Sequence, residues 1–351
     1  MGKEIAIIGT GFLSPAGRGI EAFYNQANNG LPEGSKLTDF DPDQYLGVKG
    51  LRFVADPTKL YCNVAFQCME DAQLKGMLNE YPDRFGLYDG SELSIIDEVF
   101  EFDLTARVEG ADYVSPMKSP NVLGNASASY MAIRAGITGP NFSVSGGATG
   151  SLQAIDMAVL HLQEGQTDYG ITAATDGDCL LHDTLHKGEN RRTFLRSAPA
   201  FGAAFALTTL ENAQNQGHKV YGTISQIASG QRLGYEENHE VLLRLMEDIL
   251  KQGTRRKEID AIILGGAHTF ETGKLLEELW WDFDMDHAKV HLPERLLGVC
   301  DNNAGSLGLL YAIGISQQRI EKTSAKGIRN CLVGVVDRLG YASMLLASFK
   351  N

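Results

Sequence analysis

The sequence predicts an α/β protein with a mainly parallel sheet, built from two similar halves, residues 1–214 and 215–351, packed as a single unit of 351 residues. Three observations predict this. Short apolar runs alternate with longer stretches whose apolar residues recur every three to four positions, the patterns of buried strands and amphipathic helices. Three of the apolar runs, Ile5-Ala-Ile-Ile-Gly, Tyr169-Gly-Ile-Thr-Ala and Asp260-Ala-Ile-Ile-Leu-Gly, are alike in type, which hints at duplication. No low-complexity stretch separates the halves, and a chain of this length buries a sizeable core.

Element by element, residues 5–9 read as a strand and 17–29 as a helix with one apolar face. Residues 59–74 form a longer amphipathic helix. A strand at 84–88 precedes a helix at 91–102. Residues 142–145 read as a strand entering a tight turn. The helix at 150–165 carries Leu152, Ile155, Met157, Ala158, Leu160 and Leu162 on its apolar side. Buried-type strands follow at 169–174 and 200–209. In the second half, a strand at 220–228, a helix at 240–252 and a strand at 260–265 come first. Helices at 274–281 and 305–319 follow, and strands at 331–336 and 343–349 close the chain.

Hydrophobic residues make up 43% of the chain and charged residues 21%, ordinary values for a globular protein. No apolar run approaches the ~18 residues of a membrane span. The first residues enter a strand pattern at once, so no secretory leader is expected. The net charge of −13 disfavours nucleic acid, whose phosphates would be repelled. It also disfavours docking of an acidic carrier protein over most of the surface. Five scattered cysteines, an odd number, suit reduced thiols, and a soluble cytoplasmic protein is expected. Cys179, His182 and His186 are loosely spaced with no fourth ligand in register, so a loop and no metal is expected there. Gly9-Thr10-Gly11 follows the first strand, but Ser14 stands where a dinucleotide fingerprint needs its third glycine. A tight strand-to-loop turn is therefore expected, and no nicotinamide, flavin or other cofactor.

The stretch from Gly139 to Leu152, GPNFSVSGGATGSL, carries the most chemistry. It runs from a strand through a tight turn into a helix. That is the shape of a nucleophile elbow, which presents a reactive side chain at a helix N-terminus. The position that should carry a thiol is Ala148, and a methyl group attacks nothing. The chain has the frame of a reaction centre that it does not itself operate.

Several segments together resemble the β-ketoacyl synthase family, the condensing enzymes of fatty-acid and polyketide synthesis. They are residues 7–17 (IIGTGFLSPAG), 125–133 (NASASYMAI) leading into 136–140 (GITGP), the elbow, 169–174 (YGITAA) and 305–308 (GSLG). The resemblance implies a thiolase-like fold of five layers, αβαβα, with two similar halves, acting as a dimer. It also implies a cysteine that accepts an acyl chain, two histidines that promote decarboxylation and stabilise the enolate, and a lysine supporting the second histidine. By position the cysteine falls on Ala148, the first histidine on Gly265, the second on Asn302 and the lysine on Leu297. His268 lies three residues from Gly265. The glycine-rich gating loop reads Val335-Val336-Asp337-Arg338. A substitution at the cysteine alone would keep the other three residues, so the loss of all four points to a natural, non-catalytic member.

Such a chain resembles the chain-length factor, or β subunit, of type II polyketide systems for aromatic polyketides or aryl polyenes. The resemblance implies a heterodimer with an active ketosynthase, whose subunit also supplies most of the acyl-carrier docking. Leu93, Ile96 and Phe100 share one helix face, with Val99 and Phe102 adjacent. By comparison with ketosynthases they would wall the acyl tunnel at the dimer interface; ordinary core packing is the alternative. Asn141, Phe142, Ser143, Val144 and Ser145 would pair with the partner's corresponding strand. Two rival functions remain open. One is a decarboxylase or acyltransferase relying on Asn302 or His268. The other is a non-enzymatic homodimer that binds acyl thioesters.

Overall fold

The computed structural model describes residues 2–30, 37, 40–91, 93–176, 181, 200–266, 289–320, 327–337 and 339–350. Its strands are β1 (Ile5–Ser14), β2 (Gly17–Arg18), β3 (Phe85–Asp89), β4 (Asn141–Ser143), β5 (Tyr169–Asp176), β6 (Phe201–Thr209), β7 (Gly222–Gln231), β8 (Ala261–Gly265), β9 (Lys289–His291), β10 (Asn330–Val336) and β11 (Tyr341–Ser348). They are hydrogen-bonded in the order β4-β3-β5-β6-β1-β7-β11-β10-β8-β9, with β2 folded back on β1.

The order is a palindrome about the β1–β7 pair. Read from either outer edge inward, the pairings are parallel, parallel, antiparallel and antiparallel. The two halves therefore share one topology. The pattern restarts at Gly222, while a division at residue 214 falls inside the Leu210–Gln216 helix. The similar runs picked out in the sequence become β1, β5 and β8, which are not topological equivalents. Their likeness reflects common burial. The expectation of a mainly parallel sheet is also corrected, because antiparallel pairs run through the middle of both halves. Strands covered on both faces are apolar throughout whichever way they run, so composition does not report direction. Only four residues separate the end of β10 from the start of β11, too few for anything but an antiparallel pair.

Side-chain alternation along the strands builds the layers. In β1, Ile5 and Ile7 enter the central core, while Ala6 and Ile8 enter a core under the Asp56–Asp71 and Ala126–Ala135 helices. In β8, Ala261 and Ile263 face the central core, while Ile262 and Leu264 face the Asn238–Leu250 helix. The Gly150–Gln163 and Ala304–Ser316 helices fill the central layer, giving five layers in all. The Asp56–Asp71 helix starts and ends three residues earlier than expected, because Pro57 can open a helix at its first turn.

Gly9 and Gly11 correct another expectation. Both lie within β1 rather than in a turn. A Cβ on Gly9 would sit 2.3 Å from the Cys68 carbonyl oxygen, and one on Gly11 would sit 2.0 Å from that of Val64. These glycines let the Asp56–Asp71 helix lie directly on the strand. Cys179, His182, His186, His268, Arg338 and the helix expected at 274–281 lie outside the described residues.

Candidate functional site

Two matching turns build the site. In the first half a 3₁₀ turn at Gly147–Thr149 leads into the Gly150–Gln163 helix; in the second, Asp301–Asn303 leads into Ala304–Ser316. Ala148 and Asn302 are the middle residues of these turns and occupy equivalent places in the repeat. The residues before them, Gly147 and Asp301, both have positive φ, 56° and 35°. Glycine tolerates that region freely, whereas aspartate is among the few other residues found there.

The two helices meet closely. The Ser306 amide donates to Ser151 Oγ at 3.2 Å, and a Cβ on Gly305 would lie 2.4 Å from Leu152 Cγ. The structure thus brings Ala148, Gly265 and Asn302 together around the starts of the two helices. Ala148 is partly buried against the central core, and Leu297 lies within that core. A Cβ on Gly266 would lie 2.6 Å from the Val336 carbonyl oxygen and 3.1 Å from the Ala148 Cβ. At Gly265 a Cβ would lie 2.9 Å from the Ala304 Cβ. Even the first carbon of a histidine is crowded at Gly265. Asn302 is buried, and its amide donates to the Thr175 carbonyl at 3.4 Å.

Two buried carboxyls, which the sequence analysis did not single out, support this centre. Glu294 accepts from the Gly266 amide at 2.7 Å and from the Cys300 amide at 2.9 Å. It ties together the segments that carry Gly265 and Asn302. Burial raises its pKa to about 7 despite those two donors. Asp89, at the end of β3, accepts from the Ser91 amide at 2.7 Å, and its other oxygen has no partner. Burial again raises its pKa to about 7. Nothing in a single sequence separates such carboxyls from exposed ones. The Cys300 thiol, close to Glu294, is pushed far up by burial and donates to the Gly298 carbonyl at 2.9 Å. It is no ready nucleophile.

On the proposed outer wall, the structure settles where the apolar residues point. A 3₁₀ turn at Leu93–Ile95 leads into the Ile96–Val108 helix, which has no buried residue. Ile96 and Phe102 are half-buried, Val99 is 41% exposed and Phe100 48% exposed. Core packing within this chain is thereby excluded for Val99 and Phe100. Asn141, Phe142 and Ser143 form the short edge strand β4, all three exposed; Val144 and Ser145 follow it. Phe142 lies parallel to the Tyr88 ring at 6.3 Å, which fixes its outer face at the surface. One side of β4 pairs with β3, and the other is unpaired among the described residues.

Among the described residues no group of metal-ligating side chains occurs, and no helix is long and apolar enough to cross a membrane. A model of the β-ketoacyl synthase N-terminal domain matches residues 36–188. The chloroplastic 3-oxoacyl-[acyl-carrier-protein] synthase I of Arabidopsis thaliana is 26% identical over 193 residues, covering 50% of this chain and 41% of that protein. The 3-oxoacyl-[acyl-carrier-protein] synthase 2 of Rhizobium meliloti (strain 1021) is 25% identical over 316 residues, 76% of this chain and 75% of that protein. The match thus spans less than half of the first relative's length and three quarters of the second's. Two solved structures share the fold over the full length of both chains at 14% identity. They are the ishigamide ketosynthase/chain length factor, with a TM-score of 0.82, and AntDE:AntF, a type II PKS acyl-carrier protein in complex with its ketosynthase, at 0.81.

Proposed function

From the similarity of this chain to the β-ketoacyl synthase N-terminal domain and to 3-oxoacyl-[acyl-carrier-protein] synthases, we propose that it is a non-catalytic, chain-length-factor-like subunit of that family. It pairs with an active ketosynthase in type II polyketide biosynthesis and shapes the acyl tunnel between them. The observation that carries the reading is Ala148 at the elbow, abutting the closed Gly266 turn. A condensing centre needs a thiol to hold the chain and imidazoles to move protons. Here a methyl group, a glycine, an amide and a leucine stand in those places. The partner then supplies the cysteine, both histidines and most of the carrier docking. This chain supplies half of the interface and, through the Ile96–Val108 helix, one tunnel wall.

The unpaired edge of β4 and the exposed Phe142 support the interface side of the reading. An open strand edge is a template for another chain. The Asn302 amide donates one N–H to the Thr175 carbonyl; the decarboxylase reading would rest on its other N–H or on His268. The test is co-expression of the chain with each ketosynthase of its own genome, followed by capture through a tag on this chain alone. A stoichiometric pair that makes product when each subunit alone makes none is expected. A stable monomer that ignores every one of those ketosynthases would overturn the proposal.

A further inference from the structure

We infer that the face built on residues 96–118 rejects a second copy of this chain and accepts a non-identical protein with a basic rim around an apolar centre. This rests on the paired-subunit reading above and adds the chemistry of the partner's surface. Val99, Phe100, Leu104, Val108 and Tyr113 are exposed there. Such a patch marks an interaction surface.

The charge around the patch is one-sided. Residues 96–118 hold six carboxylates against two cations, Arg107 and Lys118. Both cations are already engaged, Arg107 with Asp103 at 2.7 Å and Lys118 with Glu101 at 3.5 Å. Glu109 and Asp112 are exposed beside the apolar residues. Glu98 lies on the inner side of the helix, in a groove shared with Arg52, Asp56 and Lys59, and is not part of this rim. In a two-fold homodimer the same patch faces itself. Acidic rim would then meet acidic rim within a Debye length of about 8–10 Å. A lysine- or arginine-bearing rim meets the opposite field and is attracted.

The inference predicts opposite salt dependences. Self-association of the chain, followed by sedimentation velocity, is expected to tighten at least tenfold between 50 and 500 mM NaCl. The pair with the ketosynthase captured by co-expression is expected to weaken at least tenfold over the same range. The variant Glu109→Gln, Asp112→Asn leaves the ion pairs above intact. Once circular dichroism shows it folded, it should self-associate at least tenfold more tightly than wild type at 50 mM NaCl. Wild-type self-association insensitive to salt, or a variant no tighter than wild type, would overturn the inference. If no ketosynthase is captured, the paired-subunit proposal fails, while the self-association measurements still decide the charge rule.

Discussion

Ala148 and Asn302 sit at equivalent turns of a repeated half, and on the proposed reading neither side chain supplies condensing chemistry. Restoring one group should not restore chemistry. The Ala148→Cys variant, paired with its ketosynthase after that subunit's own cysteine is removed, is expected to yield no condensation product by mass spectrometry, because Gly265, Asn302 and Leu297 supply no proton transfer. Asp89 and Glu294 carry a second prediction. Burial raises both pKa values, from 3.8 and 4.5 to about 7. The folded chain therefore holds protons that the unfolded chain has released between about pH 4 and 7. Their contribution is fully present below that window and is lost as pH rises to 7, at most on the order of 3–4 kcal/mol each. Urea unfolding should show stability falling from pH 4.5 to 7.5. Asp89→Asn or Glu294→Gln should flatten that slope; an unchanged slope in both would contradict the assignment.

At the scale of elements, close packing and exposure decide what a substitution costs. Gly11→Ala places a Cβ 2.0 Å from the Val64 carbonyl oxygen, so chemical denaturation should register a loss of about 2–4 kcal/mol. Phe100→Ala should cost the isolated chain less than about 1 kcal/mol, because Phe100 is already half exposed. In the reconstituted pair the same change should lengthen the products, and Leu93→Trp should shorten them. Unchanged product lengths from folded, paired variants would remove this helix from the tunnel. The sequence was legible where apolar periodicity alone decides: the strands at 5–9, 84–88, 169–174 and 331–336 all appear. Strand direction was illegible because burial on both faces erases the alternation that would reveal it. The spacing of Ile96 and Phe100 was legible, but whether they face core or solvent depends on what lies beneath the helix. Ala148 was readable from its motif. Glu294 was not, since only the folded chain brings the Gly266 and Cys300 amides to it.

At the scale of the whole molecule, the palindromic sheet makes one body of two similar halves, with Ala148 and Asn302 at the starts of their central helices. The apolar, acidic face on residues 96–118 and the edge strand β4 leave that body unfinished toward a partner. The central claim is that chemistry resides in the other subunit. The most direct measurement is intact mass of both chains after the reconstituted pair is incubated with an acyl-carrier thioester and then denatured. The account predicts a stoichiometric acyl adduct on the ketosynthase and none on this chain, alone or paired. A covalent acyl group on this chain that survives denaturation would contradict it.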